Sequence, residues 1–157
     1  HHADRFLSVT IANAAAKIGT AEAWNSRANS VAQQGLAELV KTTHTRWFSE
    51  HFDYVHDVLA QKTIQSLALT PSQGYANACR ALADADLRDQ LNQIQIPTLL
   101  IWGKNDIVTP PFVAEEFKKL IPNSQLHFID KCGHAPMMEV PDEFNSILEK
   151  FLAELPK

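Results

Sequence analysis

The stretch Ile96-Pro-Thr-Leu-Leu-Ile-Trp102-Gly103-Lys-Asn-Asp106 decides the fold. Its first seven residues are nearly continuous in apolar side chains, the composition of a parallel strand covered on both faces. The run passes straight into a short polar turn that ends on a carboxylate. A second stretch repeats the arrangement: Gln125-Leu-His-Phe-Ile129 reads as a strand and leads to Gly133-His134-Ala-Pro136. An acid and then a histidine therefore stand just past the ends of two strands. In open α/β sheets that is the edge where ligands bind.

Working outward, Thr109-Pro110-Pro111 between the two strands is a helix-start signal, with a hydroxyl at N-cap and Pro at N1. Phe112, Val113, Phe117 and Leu120 then give that helix one apolar face. After the second strand, Pro141-Asp142-Glu143 opens another helix, with acids in the first turn where the dipole favours them. Its apolar residues Phe144, Ile147, Leu148, Phe151, Leu152 and Leu155 recur at helical spacing. The C-terminal third thus predicts β-α-β-α, a parallel unit with a right-handed crossover. Upstream, Phe6-Leu-Ser-Val-Thr-Ile-Ala12 predicts a further strand over residues 6–12.

Residues 20–91 differ in texture, lacking strand-like alternation. One helical segment holds Trp24 and Val31, and a second Leu36, Leu39 and Val40. A third holds Val55, Val58 and Leu59 and extends toward Leu67; a fourth starts at Pro71 and holds Tyr75, Cys79 and Leu82. Gly35, the Trp47-Phe48-Ser49 region, Pro71 and Gly74 punctuate them. Such a block is too long for a simple crossover. It predicts an α/β core formed by residues 1–19 and 92–157, with residues 20–91 inserted as a helical cap.

Composition narrows the function classes. The chain has 157 residues, 45% hydrophobic and 20% charged, with 14 Lys+Arg against 18 Asp+Glu and a formal charge of -4. No basic face for nucleic acid and no positive run for a membrane surface is present. No apolar stretch approaches the ~18 residues a bilayer span needs. Cys79 and Cys132 are far apart and make no disulfide framework; reduced thiols in a cytoplasmic protein are expected. The chain opens on His1-His2, tag residue or native sequence, and enters strand-like sequence within five residues. A chain that starts at the mouth of a buried strand is expected to have an upstream portion.

The acid–histidine order has a chemical logic. In a nucleophilic triad the histidine takes the nucleophile's proton and returns it to the leaving group, while the carboxylate fixes the imidazole tautomer. Asp106 and His134 are the candidates, with Gly133 and the Gly103-Lys104-Asn105 turn expected to let the loops turn tightly and give the imidazole room. A lone Gly-His or Asn-Asp is ordinarily just a turn; the pairing with two strand ends singles these out. Asp130 is the rival acid, closer to His134 in sequence but confined to the same loop. Asp84, Asp86 and Asp89 read as solvated or capping residues. Cys132 is a bystander thiol, since near neighbours on one loop rarely form a Cys-His pair. His44, His51 and His56 match no common zinc spacing, so no metal is expected. Trp24 and Trp47 are candidates for substrate contact, against the ordinary role of aromatics as packing.

The chain resembles the 3-oxoadipate enol-lactonases, within the α/β-hydrolases. The likeness is carried by Ile11-Ala-Asn-Ala-Ala-Ala-Lys-Ile-Gly-Thr-Ala-Glu-Ala-Trp-Asn25, Arg46-Trp47-Phe48, Gly74-Tyr75-Ala76, Asp84-Ala-Asp-Leu-Arg88 and Gly133-His134, over nearly the whole length. The resemblance implies the C-terminal part of an α/β-hydrolase fold and hydrolysis of 3-oxoadipate enol-lactone in aromatic-compound degradation by the β-ketoadipate route. Asp106 and His134 would be triad acid and base, with no metal or organic cofactor. The departure is large: no G-x-S-x-G nucleophile elbow occurs in the sequence, nor do its oxyanion donors. The chain is then expected to supply acid, base and cap but not the nucleophile, and to be inactive alone. Its partners would be a small lactone or ester substrate and either an upstream half or a second copy along the exposed sheet edge. Two alternatives stay open: another capped hydrolase (esterase, perhydrolase or carbon–carbon bond hydrolase), or a non-catalytic interaction module.

Overall fold

A computed structural model describes residues 2–155, so that His1, Pro156 and Lys157 lie outside the described residues. Three strands, β1 (Val9–Ala12), β2 (Thr98–Gly103) and β3 (Ser124–Ile129), form one parallel sheet in the order β1-β2-β3. The helices in chain order are α1 (Ala21–Gln34), α2 (Ala37–Trp47), α3 (Val58–Ser66), α4 (Ser72–Asp84), α5 (Pro111–Leu120), α6 (Pro136–Glu139) and α7 (Pro141–Ala153). The chain divides into two compact units. One comprises residues 2–15, 46–52 and 89–155 and contains the sheet; the other, Ala16–Thr45 with Asp53–Arg88, is helical.

In the sheet unit every residue of β2 is buried, as its apolar run requires. Its register aligns Val9 with Thr98 on one side and Thr98 with Ser124 on the other. Both faces are covered. Leu99 and Ile101 cluster with Ile129, Cys132 and Phe151, against which Phe144, Ile147, Leu148 and Leu155 pack. Trp102 lies fully buried on α5's side, its ring centroid 5.7 Å from Phe117. Burial of each such side chain contributes about 1.5–3 kcal/mol.

Several sequence expectations need correction. The first strand covers Val9–Ala12 rather than 6–12, and Phe6 and Leu7 are exposed. A strand needs a ladder partner, and β2 offers none before Thr98, where Val9 begins its pairing. On α5 the buried positions are Ala114 and Phe117 while Phe112 is exposed, because the helix starts at Pro111 and turns Phe112 off the sheet-facing stripe. Leu152 on α7 is half exposed for the same reason, at the margin of its stripe.

In the helical unit, α1 is capped by Thr20, whose hydroxyl accepts the Ala23 N–H, and α3 by Asp57, which accepts from Ala60. α1 and α4 meet through Ala28, Ala76 and Cys79, with Trp24 and Tyr75 packed alongside. Small residues let two helices approach closely, and the aromatics fill the flanks. The third helix buries Ala60 and Ile64; Val55, Val58 and Leu59 are exposed, contrary to the apolar face expected of them. Gly74 does not interrupt a helix. It lies inside α4 and faces open space.

Candidate active site

The turn that follows β2 places its carboxylate by a dense set of hydrogen bonds. Asp106 is buried, and its Oδ1 accepts the backbone N–H groups of Val108 (2.7 Å) and Thr109 (3.0 Å). Its Oδ2 accepts the Thr109 hydroxyl at 2.5 Å, the Asn13 side-chain amide at 2.7 Å, and faces His134 Nδ1 at 2.9 Å. Burial by itself pushes the Asp106 carboxyl up, but the hydrogen bonds from His134, Thr109 and Asn13 outweigh it and hold the group below its usual range. The carboxylate is thereby kept ionised and unable to rotate. The imidazole is partly exposed, at 24% for its side chain, and its described contacts run through Nδ1. A neutral ring that donates from Nδ1 to this carboxylate leaves Nε2 basic, the form a general base needs.

The residues the sequence singled out fall as follows. Asp106 and His134 are brought together. Asp130, the rival acid, is exposed and paired with Lys104 at 2.6 Å. Cys132 is fully buried, and burial first, then the Glu139 charge, pushes its thiol well above the usual range, so it stays protonated. His44 stacks on Tyr54, and His56 Nδ1 contacts Asp53 at 2.8 Å, so these histidines have separate partners. Trp47 accepts the His134 backbone N–H through its carbonyl at 2.8 Å. Trp24 belongs to the helical unit, where its indole N–H donates to the Ile18 carbonyl and Arg27 sits 4.9 Å over its ring.

Three contributors escaped the sequence reading. Asn13, just past β1, is buried with a φ of 43°, a left-handed conformation Asn tolerates better than most residues. Its amide also donates to the Gly133 carbonyl at 3.0 Å. The rule that flagged Asp106, a polar residue just beyond a parallel strand, applies to it equally. Thr109 is not the N-cap of α5, which begins at Pro111; its hydroxyl goes to Asp106 instead. Trp102 supports the same turn, its indole N–H donating to the Thr109 carbonyl at 2.9 Å.

The two glycines matter for space rather than for turning. Neither is among the positive-φ residues; the left-handed position in the histidine loop is Lys131, at 55°. A Cβ on Gly103 would lie 2.1 Å from the Gly133 carbonyl oxygen and 2.4 Å from that of Cys132. The turn and the histidine loop touch backbone to backbone there, stitched by Lys104 N–H to Ile129 O (2.9 Å) and Asn105 N–H to Cys132 O (2.8 Å). Gly103→Ala should therefore destabilise the protein by about 3 kcal/mol or more. Gly74→Ala, with nothing near its Cβ, should stabilise it by about 0.5–1 kcal/mol. Urea midpoints of the two variants check both signs.

Two parallel strand ends delivering a buried acid onto a histidine, with helices on both faces, is an arrangement that known proteins share. The family model for the alpha/beta hydrolase fold matches residues 59–141. The chain belongs to the α/β-hydrolase family. It is 52% identical over 99% of its length to 3-oxoadipate enol-lactonase 1 of Acinetobacter baylyi, covering 58% of that relative. Among solved structures it superposes on the enol-lactonase from Burkholderia xenovorans LB400 with a TM-score of 0.89 and 30% identity, covering 98% of this chain and 58% of that one. A thermophilic esterase from Thermogutta terrifontis matches with the same TM-score at 25% identity, again covering 98% of this α/β-hydrolase chain and 58% of its own. The chain thus spans somewhat over half the length of these relatives.

Proposed function

We propose that this chain provides the acid and the base of a Ser-Asp-His triad that hydrolyses 3-oxoadipate enol-lactone to 3-oxoadipate. The observation that carries the reading is the 2.9 Å contact between His134 Nδ1 and a buried, five-donor Asp106 carboxylate, on a chain 52% identical to a named enol-lactonase. The serine hydroxyl comes from outside the 157 residues, which contain no G-x-S-x-G. His134 Nε2 takes the proton of that hydroxyl as it attacks the lactone carbonyl. Asp106 stabilises the imidazolium that forms. Collapse of the tetrahedral intermediate expels the enolate oxygen, which receives the proton back from His134 as an enol. The enol then tautomerises to the ketone, losing the oxygen-bound proton to solvent and gaining one on carbon. Water then attacks the acyl-enzyme by the same base, giving the carboxylate.

The remaining assignments belong to this reading. Residues 20–91 are the helical cap and residues 1–19 with 92–157 the core; Trp24 and Trp47 are substrate contacts; the protein is cytoplasmic. Among the described residues no helix is long and apolar enough to cross a membrane. β1 pairs only with β2 among the described residues, and its outer edge is read as the seam for an upstream half or a second copy.

The test is a substrate panel on the full-length protein. Rapid opening of the enol-lactone, with aryl esters at least tenfold slower in kcat/KM, supports the reading; tenfold is about 1.4 kcal/mol of transition-state discrimination. The likeness to the Thermogutta terrifontis esterase favours the alternative of a simple ester hydrolase, which the reverse preference would establish.

A further inference from the structure

We propose that Glu139 is a positioning residue for His134, acting through the backbone of Gly133 and of the segment 47–49 rather than on the reacting atoms. The inference rests on the reading of His134 as the base. Glu139 closes the four-residue helix α6, the end at which the helix dipole disfavours a carboxylate. What it does there is accept two backbone N–H groups from segments far apart in the chain. Its Oε1 takes the Gly133 N–H at 2.8 Å and its Oε2 the Ser49 N–H at 2.9 Å.

Two more bonds run beside this bridge. The His134 N–H donates to the Trp47 carbonyl at 2.8 Å, and the Ser49 hydroxyl to the Lys131 carbonyl at 2.8 Å. The segment 47–49 and the histidine loop are thus spliced by four hydrogen bonds, two of them ending on one carboxylate. The contact leaves no slack. A Cβ on Gly133 would lie 2.7 Å from the Ser49 nitrogen and 2.9 Å from Glu139 Oε1.

The effect converges on residue 133. Glu139 holds its N–H, and Asn13, bonded to the same Oδ2 that faces the imidazole, holds its carbonyl. Residue 133 is fixed at both polar groups, and the next Cα carries the imidazole. With the His134 N–H also held, the ring's approach to Asp106 is set by the backbone before its side chain has any choice. Small displacements of a base lose much of its rate, so such a clamp matters for turnover. No described contact joins Glu139 to the ring, which is why its role is positioning.

Glu139→Gln tests this with shape retained. One acceptor oxygen survives, while the new NH₂ group opposes the other backbone donor. In the ¹⁵N-labelled full-length protein, amide exchange at Gly133 or Ser49 should quicken roughly tenfold. The downfield Nδ1–H resonance of His134, held by Asp106, should broaden or vanish, with the β2 and α7 amides unchanged. Glu139→Ala should do the same at both amides; should it fail to fold, Glu139→Gln decides. In the full-length enzyme kcat should fall about tenfold to hundredfold with KM nearly constant. A folded Glu139→Gln protein with wild-type amide protection and an intact Nδ1–H resonance overturns the proposal, as does a wild-type chain lacking that proton. The resonance needs no substrate. A full-length protein that loses it in the variant yet opens no lactone in the wild type keeps the positioning role and refutes the lactonase reading.

Discussion

Replacing Asp106 by Asn in the full-length protein is expected to lower kcat for lactone opening by about 10⁴-fold. The side chain keeps its shape, so the loss is electronic and tautomeric. Oδ2 now receives the Thr109 hydroxyl, the Asn13 amide and the His134 ring nitrogen, while Oδ1 receives two backbone N–H groups. An amide has one oxygen to offer these five donors. Whichever way it turns, its NH₂ opposes at least one of them, and the orientation that spares the backbone pair presents NH₂ to the imidazole. That selects the ring form with its proton on Nε2, the wrong nitrogen for a base. Unmet donors should also cost about 1–3 kcal/mol of stability. The pH dependence gives an internal check. The Asp106 carboxyl is held below its usual range in the folded protein, so its stabilisation is complete above an unfolded pKa of about 4 and is lost as pH falls through the folded value. The stability gap between wild type and Asp106→Asn should be constant above about pH 4 and shrink below it. Urea melts across that range, with initial rates, measure both effects; a variant retaining more than a tenth of wild-type kcat would remove Asp106 from the mechanism.

The second expected result is larger. On the proposed triad reading, the 157-residue protein, purified and of verified mass, should open the lactone at least about 10⁶-fold more slowly than the full-length protein, since triad members act as a unit and lack of the serine forfeits nearly all of their joint effect. The base and its anchor would both be present, in the geometry described, with no hydroxyl for the base to activate. Cys132 supplies no substitute, because it is buried with its thiol held protonated. Sedimentation of the same sample bears on the sheet edge: β1, paired on one side among the described residues, is expected to take a second copy. Comparable turnover from the short chain would mean that another residue serves as nucleophile.

The strands β2 and β3, the helices α5 and α7, and the Asp106–His134 pairing were legible in the sequence because their signals are local. An apolar run, a proline at a helix start or an acid after a strand is written within a few consecutive residues. Boundaries were less so. Phe6 and Leu7 read as strand yet have no ladder partner, and Val55, Val58 and Leu59 read as a buried face yet lie exposed. Apolar character alone does not say which side of a short helix finds a neighbour.

From its sequence this protein could be known to hold an acid and a histidine at successive parallel strand ends, with their order along the chain. Tertiary structure alone decided what holds them: Asn13 reaching Asp106 across 93 positions and the Gly133 carbonyl across 120, and Glu139 reaching Ser49 across 90. It also decided why Gly103 and Gly133 are glycines, which is close approach and not turning. Strand and turn formation is governed by neighbouring residues, whereas a polar side chain's partner is whichever donor or acceptor the folded sheet brings within about 3 Å, and no short window of sequence contains both.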